Sequence, residues 1–258
     1  MKKIFLLVLT LSLLIGVGTN PISAGEGKGH GWYVKRNKDH YQPEADPSFL
    51  EIQPYGAFYV DKAHGDKMRD KVLYLTFDAG YENGNVSKIV DVLETEEIPA
   101  AFFVLPHFIK ANPELCQRIL QNGGLLCNHS VHHRDMSVMT AEEIREELSG
   151  VEEVCQEVLG RPLAKFFRPP EGRYSVKTVK TAFDCGYRTV LWSFAYADWD
   201  NGKQPDPAAA KKKILDNMHN GAIILLHPTS ETNAEILKDV ICALKEEGYR
   251  FASLEELG

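Results

Sequence analysis

Beyond Lys71 the chain consists of short apolar runs separated by amphipathic stretches, and this alternation limits the fold more than any other feature. The runs fall at 72–77, 100–105, 124–129, 166–168, 187–193, 222–227 and 249–254. Their length and their β-branched or aromatic content predict buried strands. Helical patterns fall between them at 84–97, 113–122, 140–159, 175–185, 206–220 and 232–247. Thr140 followed by Glu143 predicts a capping box. Asn122-Gly123, Gly160, Gly186, Gly221 and Gly248 stand where helices should end. Alternating strand and helix implies a mostly parallel sheet. The expected fold is α/β, a closed or nearly closed (β/α) barrel with one unit missing; a doubly wound open sheet is the alternative. In a barrel, chemistry sits where strands end at their C-terminal face. Asp78, His129, Arg168, Asp198 and His227 all fall at or just past predicted strand ends.

The N-terminal region reads differently. Met1-Lys2-Lys3, an apolar run over 4–18 and Ser23-Ala24 before Gly25 form the pattern of a secretory signal. Residues 1–24 are therefore expected to direct export, either cleaved or kept as an N-terminal anchor. Residues 25–70 are polar, spotted with aromatics and irregular, an arm ending in a short strand near 56–60. Residues 71–258 form the expected main domain. The net charge of −7, without a clustered basic face, argues against nucleic acid as a partner. The five cysteines are odd in number and sit in apolar settings, which does not fit a disulfide framework, although one pair bridging in an oxidising compartment stays open. Nothing points to a protein partner, so a monomer is expected.

Four segments carry candidate chemistry. Asp78 ends an apolar run and precedes Ala79-Gly80; it reads as a general base for water or as the cap of a turn. In Asn128-His129-Ser130-Val131-His132-His133, the four-residue spacing of His129 and His133 suits a zinc-type site with a position open for water, or two surface histidines. In Arg168-Pro169-Pro170-Glu171-Gly172-Arg173-Tyr174-Ser175 the prolines stiffen a loop from which Arg168 could hold a carboxylate bidentately, or the segment is a plain turn with Ser175 as N-cap. His227 ends an apolar strand and is either a core histidine or a general acid supported by Asp198. Trp199 reads as core or as a platform for sugar stacking.

Taken in order, Thr76-Phe77-Asp78, His129-Ser130-Val131-His132-His133, Arg168-Pro169-Pro170-Glu171-Gly172, Asp198-Trp199 and Leu225-Leu226-His227 resemble the motifs of the polysaccharide deacetylases, the NodB-homology or carbohydrate esterase family 4 proteins. The resemblance spans about residues 70–257. The segment Asp78-Ala79-Gly80-Tyr81-Glu82-Asn83-Gly84, with Gly31-Trp32-Tyr33 and the stretch from Phe194 to Asp200, is similar to a narrower branch, the sporulation-type peptidoglycan N-acetylmuramic acid deacetylases that prepare muramic δ-lactam in spore cortex.

The resemblance implies a distorted (β/α)7 barrel and removal of N-acetyl groups from amino sugars of peptidoglycan glycan strands. It implies His129 and His133 as ligands of a divalent metal, zinc by default, and Asp78 as the base, oriented by Arg168. His227 becomes the acid supported by Asp198, and the Tyr174 backbone N–H an oxyanion donor, with Trp199 facing the substrate. One position departs from the family pattern. Ala79 stands where most members carry a second Asp that is the third metal ligand. Three outcomes follow: Asp78 ligates the metal itself, the metal binds weakly with substrate completing its shell, or catalysis is lost; Cys127, on the same strand face as His129, is a further donor to consider. The competing expectations are deacetylation of N-acetylglucosamine in peptidoglycan, chitin or a surface glycan, and a non-catalytic glycan-binding barrel.

Overall fold

The computed structural model describes residues 29–35 and 39–257, so the leader expected at 1–24 lies outside the described residues. The strands are β1 (His30–Gly31), β2 (Ala57–Phe58), β3 (Lys71–Ala79), β4 (Ala100–Val104), β5 (Leu125–Asn128), β6 (Phe166–Phe167), β7 (Arg173–Tyr174), β8 (Arg188–Val190), β9 (Ala222–Leu226) and β10 (Tyr249–Phe251). The α-helices are α1 (Phe49–Ile52), α2 (Asn85–Thr95), α3 (Pro106–Ala111), α4 (Pro113–Gln121), α5 (Ala141–Leu159), α6 (Val176–Asp184), α7 (Pro207–Leu215) and α8 (Glu231–Glu246).

The large sheet runs β10-β3-β4-β5-β6-β8-β2, with β9 also on β3. All its strand pairs are parallel. Phe194, just past β8, bridges Ile224 of β9, so the sheet curls back on itself as a distorted barrel. Parity along β3 separates two layers. Leu73, Leu75, Phe77 and Ala79 join an apolar layer with Val86, Ile89 and Val90 of α2 and Ile236, Val240 and Ile241 of α8. Val72 and Tyr74 face the opposite way, packing with Phe103, Val190 and Ile223 inside the barrel, and Thr76 and Asp78 share that inner side by the period of two.

The helices start and stop as their sequences direct. Thr140 and Glu143 form the capping box of α5, and Ser175 and Thr178 form another on α6. Gly160 ends α5 with φ 68°, a left-handed angle that costs a residue without Cβ nothing. The helix expected over 206–220 stops at Leu215. Helix α3 was not expected; Pro106 opens it and Pro113 opens the next helix, leaving too few residues for a periodic signal.

The arm fills the place of the missing unit. β2 adds to β8 in parallel register, and Val60 bridges Ala222 of β9. Trp32, Phe49, Tyr59 and Val60 pack with Tyr174 and Leu191; burying each large side chain is worth roughly 1.5–3 kcal/mol. Asp61 closes the strand-start end of the barrel: its carboxylate accepts the Tyr74 hydroxyl at 2.6 Å and its N–H donates to Gly221 O at 2.8 Å. The described residues of the arm are thus part of the barrel wall. No described helix is long and apolar enough to cross a membrane. All five cysteines are unbridged.

Candidate active site

Asp78 and Arg168 meet inside the barrel at the C-terminal strand ends. Arg168 follows β6 and is fully buried. Its Nη1 donates to Asp78 Oδ1 at 2.8 Å, Nη2 to Thr76 Oγ1 at 2.9 Å and Nε to Val190 O at 3.0 Å. The guanidinium carbon lies 4.1 Å from the centre of the Phe103 ring, so apolar surface and hydrogen bonds together fix its plane. Burial acts to raise the Asp78 pKa, but His129, Arg168 and His227 more than offset it and hold the carboxyl below its usual range. Arg168, always charged, is the partner that acts at neutral pH.

His129 leaves the end of β5. Its Nδ1–H donates to Arg168 O at 2.9 Å, because a carbonyl can only accept. Nε2 is thereby left with a lone pair, 3.5 Å from Asp78 Oδ2. Burial pushes the His129 pKa down to about 4, so the ring is neutral near pH 7. The His133 ring lies edge-on to it, centroids 5.0 Å apart. The intervening turn holds Ser130 at φ 70° and His133 at φ 53°, uncommon for residues with a side chain. Asn128 Oδ1 accepts the Ser130 N–H and Ser130 Oγ accepts the His133 N–H, each at 3.0 Å.

His227 follows β9, the parallel neighbour of β3, one step past the Phe77–Leu226 pair and so beside Asp78. Its Nδ1–H donates to Asp198 Oδ1 at 2.7 Å and its backbone N–H to Oδ2 at 2.8 Å. Burial would lower the His227 pKa; the buried Asp198 carboxylate outweighs it and the pKa is raised. Asn233, at the start of α8, donates to Asp198 Oδ2 at 2.6 Å and is itself held by the Tyr196 hydroxyl. Asn233 carries no sequence signal, since a polar residue in a first helical turn reads as solvated.

A cleft of about 520 Å³ opens over these groups, lined by Asp78, His133, Glu171, Gly172, Trp192, Ala195, Tyr196, Trp199, Leu225 and His227. Trp199 is 60% exposed with its ring 6.0 Å from that of His227, on the cleft rather than in the core. Glu171, unassigned from sequence, lines the cleft at φ 55°, and its place directly after Pro169-Pro170 was the available signal. Gly172 is required beside it: a Cβ there would stand 2.7 Å from the Trp192 ring. Tyr174 is not brought to the cleft lining. It pairs with His30 of the arm in the β1–β7 ladder, its ring stacks on His30 and its hydroxyl meets Ser48. The Tyr174 backbone, which the resemblance assigns to the oxyanion, lies in that ladder.

His129 keeps an unprotonated Nε2 beside Asp78 while its other nitrogen is fixed by a carbonyl, the usual second-sphere arrangement of a ligating histidine. His133 is adjacent, and Asp78 Oδ2 faces the same space. These residues fit an ion held by two imidazoles with a carboxylate beside them. Among the described residues, no three His, Cys, Asp or Glu side chains converge closely enough to form a complete site. Ala79 supplies nothing there, since it lies in the outer apolar layer. Cys127 is buried among apolar groups, and burial drives its thiol pKa upward, so it stays protonated and a poor donor.

Residues 65–190 match the polysaccharide deacetylase family model. The chain is 37% identical over 247 residues to the peptidoglycan-N-acetylmuramic acid deacetylase PdaA of Bacillus subtilis, covering 95% of this chain and 92% of that protein. It is 40% identical over 227 residues to an uncharacterised 30.6 kDa protein of Geobacillus stearothermophilus, covering 88% and 84%. The solved structure of Bacillus subtilis PdaA, described as a family 4 carbohydrate esterase, superposes with a TM-score of 0.84 at 38% identity, covering 90% of this chain and 97% of that one.

Proposed function

The chain belongs to the polysaccharide deacetylase family, and from that premise we propose that it is an exported hydrolase that removes the N-acetyl group from N-acetylmuramic acid in peptidoglycan glycan strands, releasing acetate. The observation that carries the reading is the convergence on one cleft of an ionised Asp78, a His133 with buried His129 packed against it, and a His227 whose charge is supported by Asp198. The proposal takes residues 1–24 as the export leader or anchor, 71–258 as the catalytic unit and the protein as a monomer. It takes the product as the precursor of muramic δ-lactam in spore cortex.

His129 and His133 would hold a divalent ion, zinc by preference, which supplies Lewis acidity at the acetamide carbonyl and at the attacking water. Asp78, kept ionised by Arg168, accepts the proton of that water as oxygen attacks the carbonyl carbon. Arg168 keeps the carboxylate oriented throughout. His227, protonated on Nε2 and held through Nδ1 by Asp198, gives its proton to the departing nitrogen. The C–N bond breaks, acetate leaves and a free amine stays on the sugar. Trp199 offers an aromatic face to the glycan beside His227.

Mass spectrometry of peptide-stripped peptidoglycan strands, incubated with the protein with and without added divalent metal, tests this. Loss of acetyl from muramic residues, or of acetyl plus water on lactam closure, is the expected result. Acetyl loss from glucosamine instead would move the activity to that sugar, and unchanged masses in every condition would overturn the enzymatic reading.

A further inference from the structure

We propose that Glu147 is a positioning residue that sets the distance between the two histidine ligands by clamping the backbone of the turn between them. This rests on the reading of His129 and His133 as a metal pair. The two histidines are placed by different means. His129 is fixed by the end of β5 and by Arg168 O. His133 has no strand to hold it, and its place depends on the turn 130–133, which contains the two left-handed residues Ser130 and His133.

Glu147 comes from a remote element, α5, and is 3% exposed. Its Oε2 accepts the backbone N–H groups of both Val131 and His132, at 2.9 Å each. Its Oε1 accepts His132 Nδ1 at 2.7 Å and Arg134 Nη2 at 2.8 Å. The side chains of His132 and Arg134 are 62% and 63% exposed, so they offset the carboxylate charge from the solvent side. The two amides are the inward fixings. Both lie between the ligands, and a carboxylate oxygen shared by consecutive N–H groups fixes the turn's direction as well as its position. Next to it, Gly150 of the same helix leaves room for Val131: a Cβ on Gly150 would meet the Val131 side chain at 2.7 Å. The turn is thus docked on α5 by shape as well as by hydrogen bonds.

Reach and charge can be separated. Glu147→Gln keeps an oxygen at the same distance from the amides but removes the charge. Glu147→Asp keeps the charge but ends one methylene short. Both are conservative, and each variant is titrated as the full chain with cobalt(II), followed by its visible ligand-field spectrum, alongside thermal unfolding and amide exchange of the metal-free protein. The expected result is a cobalt affinity about 10–100-fold weaker in Glu147→Asp and within about threefold of wild type in Glu147→Gln, with faster exchange at Val131 and His132 in Glu147→Asp alone and little change in Tm. Equal affinities in all three proteins, or equal losses in both variants, would overturn the clamp. Wild-type protein that binds no cobalt would instead overturn the metal pair itself, and the role of Glu147 with it.

Discussion

The Asp198 carboxylate takes two hydrogen bonds from the one residue His227, from the ring at 2.7 Å and from the backbone at 2.8 Å. The pair therefore fixes the ring's orientation and favours its protonated form. Because the folded pKa of His227 is raised above 6.5, the associated stabilisation is complete below 6.5 and is lost as pH rises through the raised value. In catalysis the same titration sets the alkaline limb of a bell-shaped profile. Asp198→Asn should move that limb to lower pH in kcat/KM and narrow the bell; an unmoved limb would remove Asp198 from this role.

Arg168 governs the opposite limb. With Asp78 held below 3.8, its contribution to stability is present above 3.8 and is lost as pH falls through the lowered value. Arg168→Met leaves a buried carboxylate unpaired, and the expected loss is about 3–5 kcal/mol near neutral pH, read from urea unfolding. Arg168→Lys keeps one charge but cannot reach Asp78, Thr76 and Val190 O together. Its acid limb should shift to higher pH and its kcat fall. A profile matching wild type would show that Asp78 is ionised without the guanidinium.

The frame of the site was legible because its strands are apolar runs that end abruptly in a polar residue: Asp78, His129 and His227 announce themselves by position. The residues that hold them were not. Glu147 and Asn233 sit on amphipathic helices, where a polar side chain reads as solvated until packing turns it inward. Tyr174 follows the Arg168 motif closely in sequence, but the chain turns at Gly172 and carries it to the arm. Similarly, the arm's short strand is visible in sequence, but its place beside β8 depends on a gap that only the assembled barrel creates.

Ala79 gives a prediction about restoring the usual family residue. Asp78 faces inward, so Ala79 faces the helices, fully buried in the apolar layer of Leu75, Phe77 and Val104. A carboxylate introduced there meets no partner. Ala79→Asp should lower the stability of the metal-free protein by about 3 kcal/mol or more and should not tighten zinc binding. Thermal unfolding with and without zinc measures both. Tighter zinc binding with a preserved melting temperature would mean that the strand end rotates and delivers residue 79 to the ion.

Trp199 separates binding from chemistry. Its ring is largely exposed, lies on the cleft and meets His227 edge-on at 6.0 Å, touching neither Asp78 nor Arg168 by any hydrogen bond. A sugar stacked on that face gains about 0.5–1.5 kcal/mol, present equally in the ground and transition states because the stacked ring is not the reacting bond. Uniform binding of this kind appears in KM alone. Trp199→Ala should therefore raise KM for glycan strands about 2–10-fold with kcat little changed, and both pH limbs should stay in place because no charge is removed. Initial rates across a range of strand concentrations decide the matter. A fall in kcat at constant KM would mean that the indole instead holds His227 in its working orientation, and the platform would have to be sought on Trp192 or Tyr196.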